Sequence, residues 1–180
     1  MSATDQLTLH PGFGHTWPTL RAEGRSLLID TANVLGATAN GWWRDRESFT
    51  TSLLQRWRGL ATHVVSGPPS DDGVGDVPGV PGQPTDIVVT SVTAVLEGKA
   101  RTATAPPGVH VVLAGGSGDD AIVQAVADQP ERYWLVVTAD RELRQRLADS
   151  GGSSVGSRGA RVAVASPRWL LGLSLPAARP

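Results

Sequence analysis

The sequence contains no cysteine among its 180 residues. That absence excludes disulfides, thiolate metal sites and cysteine nucleophiles, and it leaves the redox compartment open. The chain also lacks an excess of either charge, since sixteen basic and seventeen acidic residues give a formal net charge of −1. No global field therefore draws it to nucleic acid or to a membrane, and any phosphate-binding patch must be local.

Long apolar runs are absent as well. No stretch of about eighteen consecutive apolar residues occurs, so we predict no membrane-spanning segment. The first 25 residues are polar and lack the basic start and apolar core of a signal peptide. These features predict a cytoplasmic protein without a membrane partner, and a flexible tail over residues 1–25.

What the chain does contain is the composition of a folded domain. Hydrophobic residues make up 40% and charged residues 18% of the sequence, a balance typical of globular proteins. Because the length suits one sizeable core, we predict a single domain over residues 26–171 and a short tail over 172–180. The segment 66–85, rich in Pro, Gly and Asp, is expected to be a disordered insertion within that domain.

Short apolar runs alternate with segments of helical periodicity. We predict five strands, at residues 26–30, 92–97, 109–114, 134–138 and 161–165, and the second could begin as early as Ile87. Helices are predicted after Asp45, which suits an N-cap, from Ser117, and from Asp140 to Ala148. This alternation predicts parallel β-α-β units and therefore a three-layer α/β/α sandwich with a parallel sheet.

Carboxylates follow the predicted strands, at the edge of the sheet where ligands bind in such folds. They are Asp30 after the first strand, Glu97 at the end of the second, Asp119 and Asp120 after the third, and Asp140 after the fourth. Clustered carboxylates without basic partners repel one another, and a bound cation relieves that repulsion. Oxygen ligands without cysteine or paired histidines favour Mg²⁺ or Mn²⁺ over Zn²⁺. Asn33, three residues past Asp30, is placed to share or orient the same site.

Each acidic residue also has a structural interpretation when taken alone. A carboxylate at the start of a helix is often a cap, which applies to Asp119, Asp120 and Asp140, and Glu97 alone is typical of a loop residue. Carboxylates after four successive strands form a more specific pattern than any one of them. The sequence has no Walker-type or dinucleotide-binding motif, so neither of these sites is predicted. Its four histidines are scattered, so they predict neither a histidine-based metal site nor a catalytic triad.

The segment Trp42-Trp43-Arg44-Asp45-Arg46 is expected near the same edge of the sheet. There Trp43 could stack on a base while Arg44 and Arg46 contact phosphates. The alternative is that the tryptophans pack on the domain, as most tryptophans do. Arg141 has two similar interpretations, a phosphate contact or a solvated residue on a helix.

Together these motifs resemble the PIN-like superfamily, in particular its NYN-type domains. The similar segments, spread over roughly residues 26–171, are Leu28-Ile-Asp30-x-x-Asn33-Val, a mid-chain strand ending in Glu97, Gly118-Asp119-Asp120-x-Ile122, Val136-Val-Thr138-Ala-Asp140-Arg141-Glu-Leu and a late Gly-Ala-Arg-Val strand. The resemblance implies a sheet with strand order 3-2-1-4-5, a Mg²⁺ or Mn²⁺ site, and metal-dependent endoribonuclease activity on single-stranded or structured RNA.

The resemblance also implies roles for individual residues. Asp30, Asp119 and Asp140 would be catalytic metal ligands, Asp120 a ligand or a water-orienting group, and Asn33 a substrate or outer contact. Glu97 would complete the metal site, although many relatives carry aspartate at that position. The 66–85 insertion before its strand is a second departure from the family pattern.

Two other functions are compatible with these residues. One is a non-catalytic PIN-like module that binds RNA or a protein, as a monomer or a homodimer. The other is a phosphotransfer domain, which would need a second aspartate where Ala32 stands or a lysine near the fifth strand, where only arginine is found. The phosphotransfer alternative is therefore the weaker of the two.

Overall fold

The computed structural model describes residues 23–38, 41–68, 86–150 and 161–173. Most of the predicted N-terminal tail, the predicted insertion and the predicted C-terminal tail lies outside these ranges. The first strand begins at Glu23, inside the range predicted as tail, and Gly67 and Pro68 at the start of the predicted insertion are buried.

A six-stranded sheet forms the centre of the protein. Its strands are β1 (Glu23–Asp30), β2 (Val64–Ser66), β3 (Asp86–Leu96), β4 (His110–Leu113), β5 (Trp134–Val137) and β6 (Val162–Ala165). Strand β1 lies between β3 and β5 and is parallel to both, and β6 pairs in parallel with β5. On its other side, β3 pairs antiparallel with β2 through its first residues and parallel with β4 through its last.

The sheet is therefore mixed, with mostly parallel strands, and the prediction of a purely parallel sheet was wrong about β2. That strand has only three residues, too few for a hydrophobic pattern to be recognised in the sequence. It exists because Val64 pairs with Val88 and Ser66 with Asp86, a match between distant segments.

In the described part of the chain five α-helices accompany the sheet: α1 (Thr31–Gly36), α2 (Arg46–Arg56), α3 (Gly118–Ala127), α4 (Arg141–Ser150) and α5 (Pro167–Gly172), with 3₁₀ turns at Trp42–Arg44 and Gly98–Thr102. Two predicted N-caps are confirmed: Asp45 accepts a hydrogen bond from the Ser48 amide at 3.1 Å, and Asp140 accepts one from the Leu143 amide at 2.9 Å. Within the described ranges no helix is both long enough and apolar enough to cross a bilayer.

The core has two parts, one on each face of the sheet. Side chains alternate along a strand, so Leu27 and Ile29 pack with Trp57 of the α2 side, whereas Leu28 packs with Leu143 of α4 on the opposite face. All five of these side chains are fully buried. Each such burial contributes about 1.5–3 kcal/mol, which fixes β1 between two helical layers. The carboxyl end of β1 is held in the middle of the sheet for the same reason.

Candidate functional site

A pocket of about 530 Å³ lies where the carboxyl ends of the parallel strands meet. It is lined by Asp30, Ala32, Asn33, Gly36, Ala37, Glu97, Asp119, Ala139 and Asp140. Four of the five carboxylates predicted to bind metal thus border one pocket. Among the described residues, neither lysine nor arginine contributes to its lining.

Asp30, the last residue of β1, is the most enclosed of these carboxylates and is 8% exposed. One of its carboxylate oxygens accepts a hydrogen bond from the Asn33 amide at 3.0 Å, and the other accepts one from the Thr138 hydroxyl at 2.9 Å. Burial raises the pKa of Asp30, the two hydrogen bonds lower it, and the charges of Asp119 and Glu97 raise it again. The pKa of Asp30 lies above its ordinary value as a result, so holding it ionised costs the folded protein free energy.

Thr138 and Asn33 tie the pocket walls together. The Thr138 oxygen that donates to Asp30 also accepts a hydrogen bond from the Asp140 amide at 3.0 Å. The Asn33 side-chain oxygen accepts one from the Ala139 amide at 2.9 Å. These contacts fix the loop after β5 against the start of α1, and they orient the Asp30 carboxylate and the Asp140 backbone.

Glu97 follows β3 and reaches the start of α3. Its carboxylate accepts a hydrogen bond from the Gly118 amide at 2.8 Å. A Cβ atom at position 118 would lie 2.9 Å from the same oxygen, so glycine is what permits this close approach. The sequence-based site omitted both Gly118 and Thr138. Both stand inside the quoted motifs, but only their contacts with distant residues identify what they do.

Asp119 lies in the first turn of α3 and faces the other acids. Burial is the largest cause of its raised pKa, and the charges of Asp140, Glu97 and Glu142 raise it further, while Arg146 partly opposes them. Like-charge repulsion of this kind is relieved by a proton or by a cation. The pocket is thus electrostatically suited to a positively charged ligand.

Asp120 is placed differently from the other four acids. It does not line the pocket, its side chain is 70% exposed, and it forms an ion pair of 2.6 Å with Arg146 of α4. The structure brings Asp120 to the rim between α3 and α4, so its assignment as a ligand remains a prediction.

Of the residues predicted to contact substrate, Asn33 lines the pocket, whereas Trp43, Arg44, Arg46 and Arg141 do not. Trp43 is 65% exposed and Arg44 is exposed beside it. Arg46 places its guanidinium 4.7 Å from the ring centre of Trp42, and Arg141 is exposed at the start of α4. The substrate-binding roles of these residues remain predictions.

Metal binding can be judged from the donors that the pocket offers. In the part of the chain that the structure describes, no three His, Cys, Asp or Glu side chains are grouped closely enough to hold a metal ion together. Oxygens of Asp30, Glu97 and Asp140 accept hydrogen bonds from the protein instead. Mg²⁺ is commonly held by one or two carboxylates and retains several waters. A hydrated hard cation is therefore the kind of metal that these donors would suit, and metal binding at the pocket stays a prediction.

The chain was also compared with known proteins. No protein-family model, curated protein or solved structure matches it. The resemblance to the PIN-like superfamily accordingly rests on the sequence motifs alone, and the candidate site on the geometry and charges of the chain's own residues.

Proposed function

We propose that the protein is a metal-dependent endoribonuclease that hydrolyses RNA phosphodiester bonds at the acidic pocket. The observation that carries this proposal is the convergence of Asp30, Glu97, Asp119 and Asp140 on one pocket from four separate segments. Helix capping accounts for Asp140 and for one oxygen of Asp30. It does not account for Asp119, whose pKa is raised by burial and then by neighbouring acids, and clusters of perturbed acids in a cleft favour a functional site.

The same proposal includes a PIN-like arrangement of the five predicted strands in the order 3-2-1-4-5. It is supported by four parallel pairings, of β4 with β3, β3 with β1, β1 with β5, and β5 with β6. In open sheets of this type the ligand crevice lies outside the carboxyl ends of the strands, which is where the acidic pocket opens.

In this proposal Asp30, Asp119 and Asp140 would hold a Mg²⁺ or Mn²⁺ ion, with Glu97 beside them. When bound, such an ion lowers the pKa of a coordinated water and stabilises negative charge on phosphate oxygens. Thr138 orients Asp30 and the Asp140 backbone through its hydroxyl.

RNA cleavage by wild type and Asp140→Asn tests the proposal. We expect wild type to cut RNA with Mn²⁺ or Mg²⁺ and to stop in EDTA, and we expect Asp140→Asn to lower the rate by about 100-fold or more. An asparagine oxygen can still accept the hydrogen bond from the Leu143 amide, so the variant should keep the helix cap. Asp149→Asn, an exposed position near the other end of the same helix, is the matched control and should cleave at the wild-type rate.

Calorimetric titration with Mn²⁺ separates metal binding from catalysis. Wild type should bind the ion, and Asp140→Asn should bind it more weakly. Equal cleavage by wild type and Asp140→Asn, or no cleavage of any RNA by wild type, would contradict the nuclease proposal.

A non-catalytic PIN-like module is the second candidate. It is favoured by the hydrogen bonds that engage both oxygens of Asp30, and by the lack of a ready-made three-residue metal centre among the described residues. The acidic edge would then be part of the architecture. Retained RNA or protein binding without Mn²⁺ binding would support this alternative over the nuclease.

A further inference from the structure

An exposed aromatic side chain and several basic side chains lie on the two 3₁₀ turns, Trp42–Arg44 and Gly98–Thr102, and both turns pack against α2. We name the surface formed by Trp43, Arg44, Lys99 and Arg101 the Trp43 platform. Trp43 is the most exposed large hydrophobic side chain among the described residues, at 65%. Arg44, Lys99 and Arg101 are exposed as well.

Trp43 is held in place although it faces solvent. Its ring lies edge-on to Trp42, with centroids 6.3 Å apart and planes at 80°. The Arg46 guanidinium is 4.7 Å from the centre of the Trp42 ring. Arg46 therefore supports Trp43 through Trp42, as a positioning residue, and its contact with a phosphate stays a prediction.

Tertiary contacts bring Lys99 and Arg101 to the same side of the molecule. The 3₁₀ turn that carries them packs on α2, where the Thr102 hydroxyl donates a hydrogen bond to Glu47 at 2.7 Å. Gly98, with φ of 51°, lies close to the Arg46 side chain. A Cβ atom at position 98 would be 3.8 Å from a nitrogen of the Arg46 guanidinium. Since Gly98 follows Glu97 directly, the turn that carries Lys99 and Arg101 begins next to a residue that lines the pocket.

Charge explains why such a surface would be needed. Four carboxylates line the pocket, and they repel a polyanionic substrate. The net charge of −1 supplies no compensating long-range attraction. Local basic groups beside the pocket can supply it, and an exposed indole adds a contact that charge alone does not provide.

We propose that the Trp43 platform binds single-stranded RNA next to the acidic pocket, with Trp43 stacking on an unpaired base and Arg44, Lys99 and Arg101 contacting phosphates. This inference rests on the proposed nuclease function for its choice of ligand. The preference for a single strand follows because the bases of a duplex are already stacked on one another and leave no face for the indole.

Fluorescence anisotropy with a labelled single-stranded RNA of about twelve nucleotides tests the platform, with EDTA present so that no cleavage occurs. We expect Trp43→Ala to weaken binding by about 5- to 100-fold and Trp43→Phe to restore part of the loss. The double variant Lys99→Ala/Arg101→Ala should reduce the slope of log affinity against log salt by about 1.4. Arg58→Ala, which removes an exposed arginine just beyond α2, is the control and should bind like wild type.

A duplex RNA of the same length should bind more weakly than the single strand and should be insensitive to Trp43→Ala. Equal single-strand affinities of wild type and Trp43→Ala would overturn the inference. So would a complete lack of RNA binding by wild type, even if the surface captured an acidic peptide. Thermal unfolding of each variant should match wild type, because all substituted side chains are exposed.

The experiments distinguish a failure of the Trp43 platform from a failure of the nuclease proposal. Binding in EDTA that depends on Trp43, together with no cleavage in Mn²⁺, would remove the nuclease and leave the platform. Cleavage that Trp43→Ala does not change would remove the platform and leave the nuclease.

Discussion

A buried arginine and the clustered carboxylates lie at opposite ends of the central sheet and are accommodated differently. At the carboxyl end of the strands, Asp30 and Asp119 have raised pKa values because they are partly buried next to other acids. At the amino end, Arg25 is 8% exposed and donates to the Trp134 carbonyl at 3.3 Å. The buried arginine thus has a hydrogen-bond acceptor, whereas the carboxylates at the carboxyl end lie next to groups of the same charge.

Other arginines at the amino end are matched in the same way. The Arg132 guanidinium lies 5.0 Å from the centre of the Trp134 ring, and Arg161 donates to the Pro130 carbonyl at 3.1 Å. Matched groups contribute to stability, whereas charges kept together against their repulsion are typical of sites selected for function. Removing a charge should therefore have opposite effects on stability at the two ends.

The largest effect is expected for Arg25→Ala. Loss of the buried guanidinium and of its packed stem should lower the free energy of unfolding by about 2–3 kcal/mol. The unfolding temperature measured by calorimetry should fall by about 4–12 °C. Arg168→Ala, at an exposed position in α5, is the control and should change stability by less than about 0.5 kcal/mol. If Arg25→Ala lowered the free energy of unfolding as little as the control does, Arg25 would not stabilise the amino end of the sheet, and the contrast with the acidic end would fail.

An effect of smaller size and opposite sign is expected for Asp119→Asn. Because the pKa of Asp119 is raised in the folded state, that state binds more protons than the unfolded chain in mildly acidic solution. The contribution of Asp119 to stability is therefore unfavourable at neutral pH and improves as the pH falls through its folded pKa toward the ordinary value of 3.8. Asparagine removes that dependence.

Thermal unfolding of wild type and Asp119→Asn across pH tests this sign. At pH 7 the variant should unfold about 1–3 °C higher, and the difference should shrink as the solution is acidified. Added Mn²⁺ should stabilise wild type more than the variant, since the ion relieves a repulsion that the variant no longer has. A variant that is less stable than wild type at neutral pH would show that Asp119 is not under electrostatic strain.

The smallest effect is expected for Asp120→Asn, which removes the partner of Arg146 at the exposed rim. Exposed ion pairs contribute about 0–1 kcal/mol, so the unfolding temperature should move by no more than about 2 °C. Mn²⁺ affinity measured by calorimetry should stay within about twofold of wild type. A loss of Mn²⁺ affinity as large as that caused by Asp140→Asn would show that Asp120 belongs to the metal site.

Local signals predicted much of the fold. Leu27, Leu28 and Ile29 form a continuous apolar run, and such a run is what burial on both faces of a sheet requires. The caps at Asp45 and Asp140 depend on amides three residues away, so they too could be read from the sequence. Helix α1 and strand β2 could not, because they are short and are stabilised by contacts with distant segments.

The candidate site, too, could be predicted from the sequence only in part. That acids at strand ends share one edge follows from parallel strands, and Asp30, Glu97, Asp119 and Asp140 do line one pocket. The position of Asp120 could not be predicted, because α3 residues next to one another point in different directions and Arg146 belongs to another helix. The exposure of Trp43 was equally undetermined, since its support comes from Trp42 and Arg46 in three dimensions.

The sequence by itself determined five of the six described strands, the caps and the edge at which the acids gather, because side-chain alternation and capping act over a few residues. Tertiary structure alone decided how those acids are held, through the Thr138 hydroxyl on Asp30 and the Gly118 amide on Glu97. These hydrogen bonds join residues 108 and 21 positions apart. Their geometry is set by the packing of whole helices on the sheet, which no local pattern encodes.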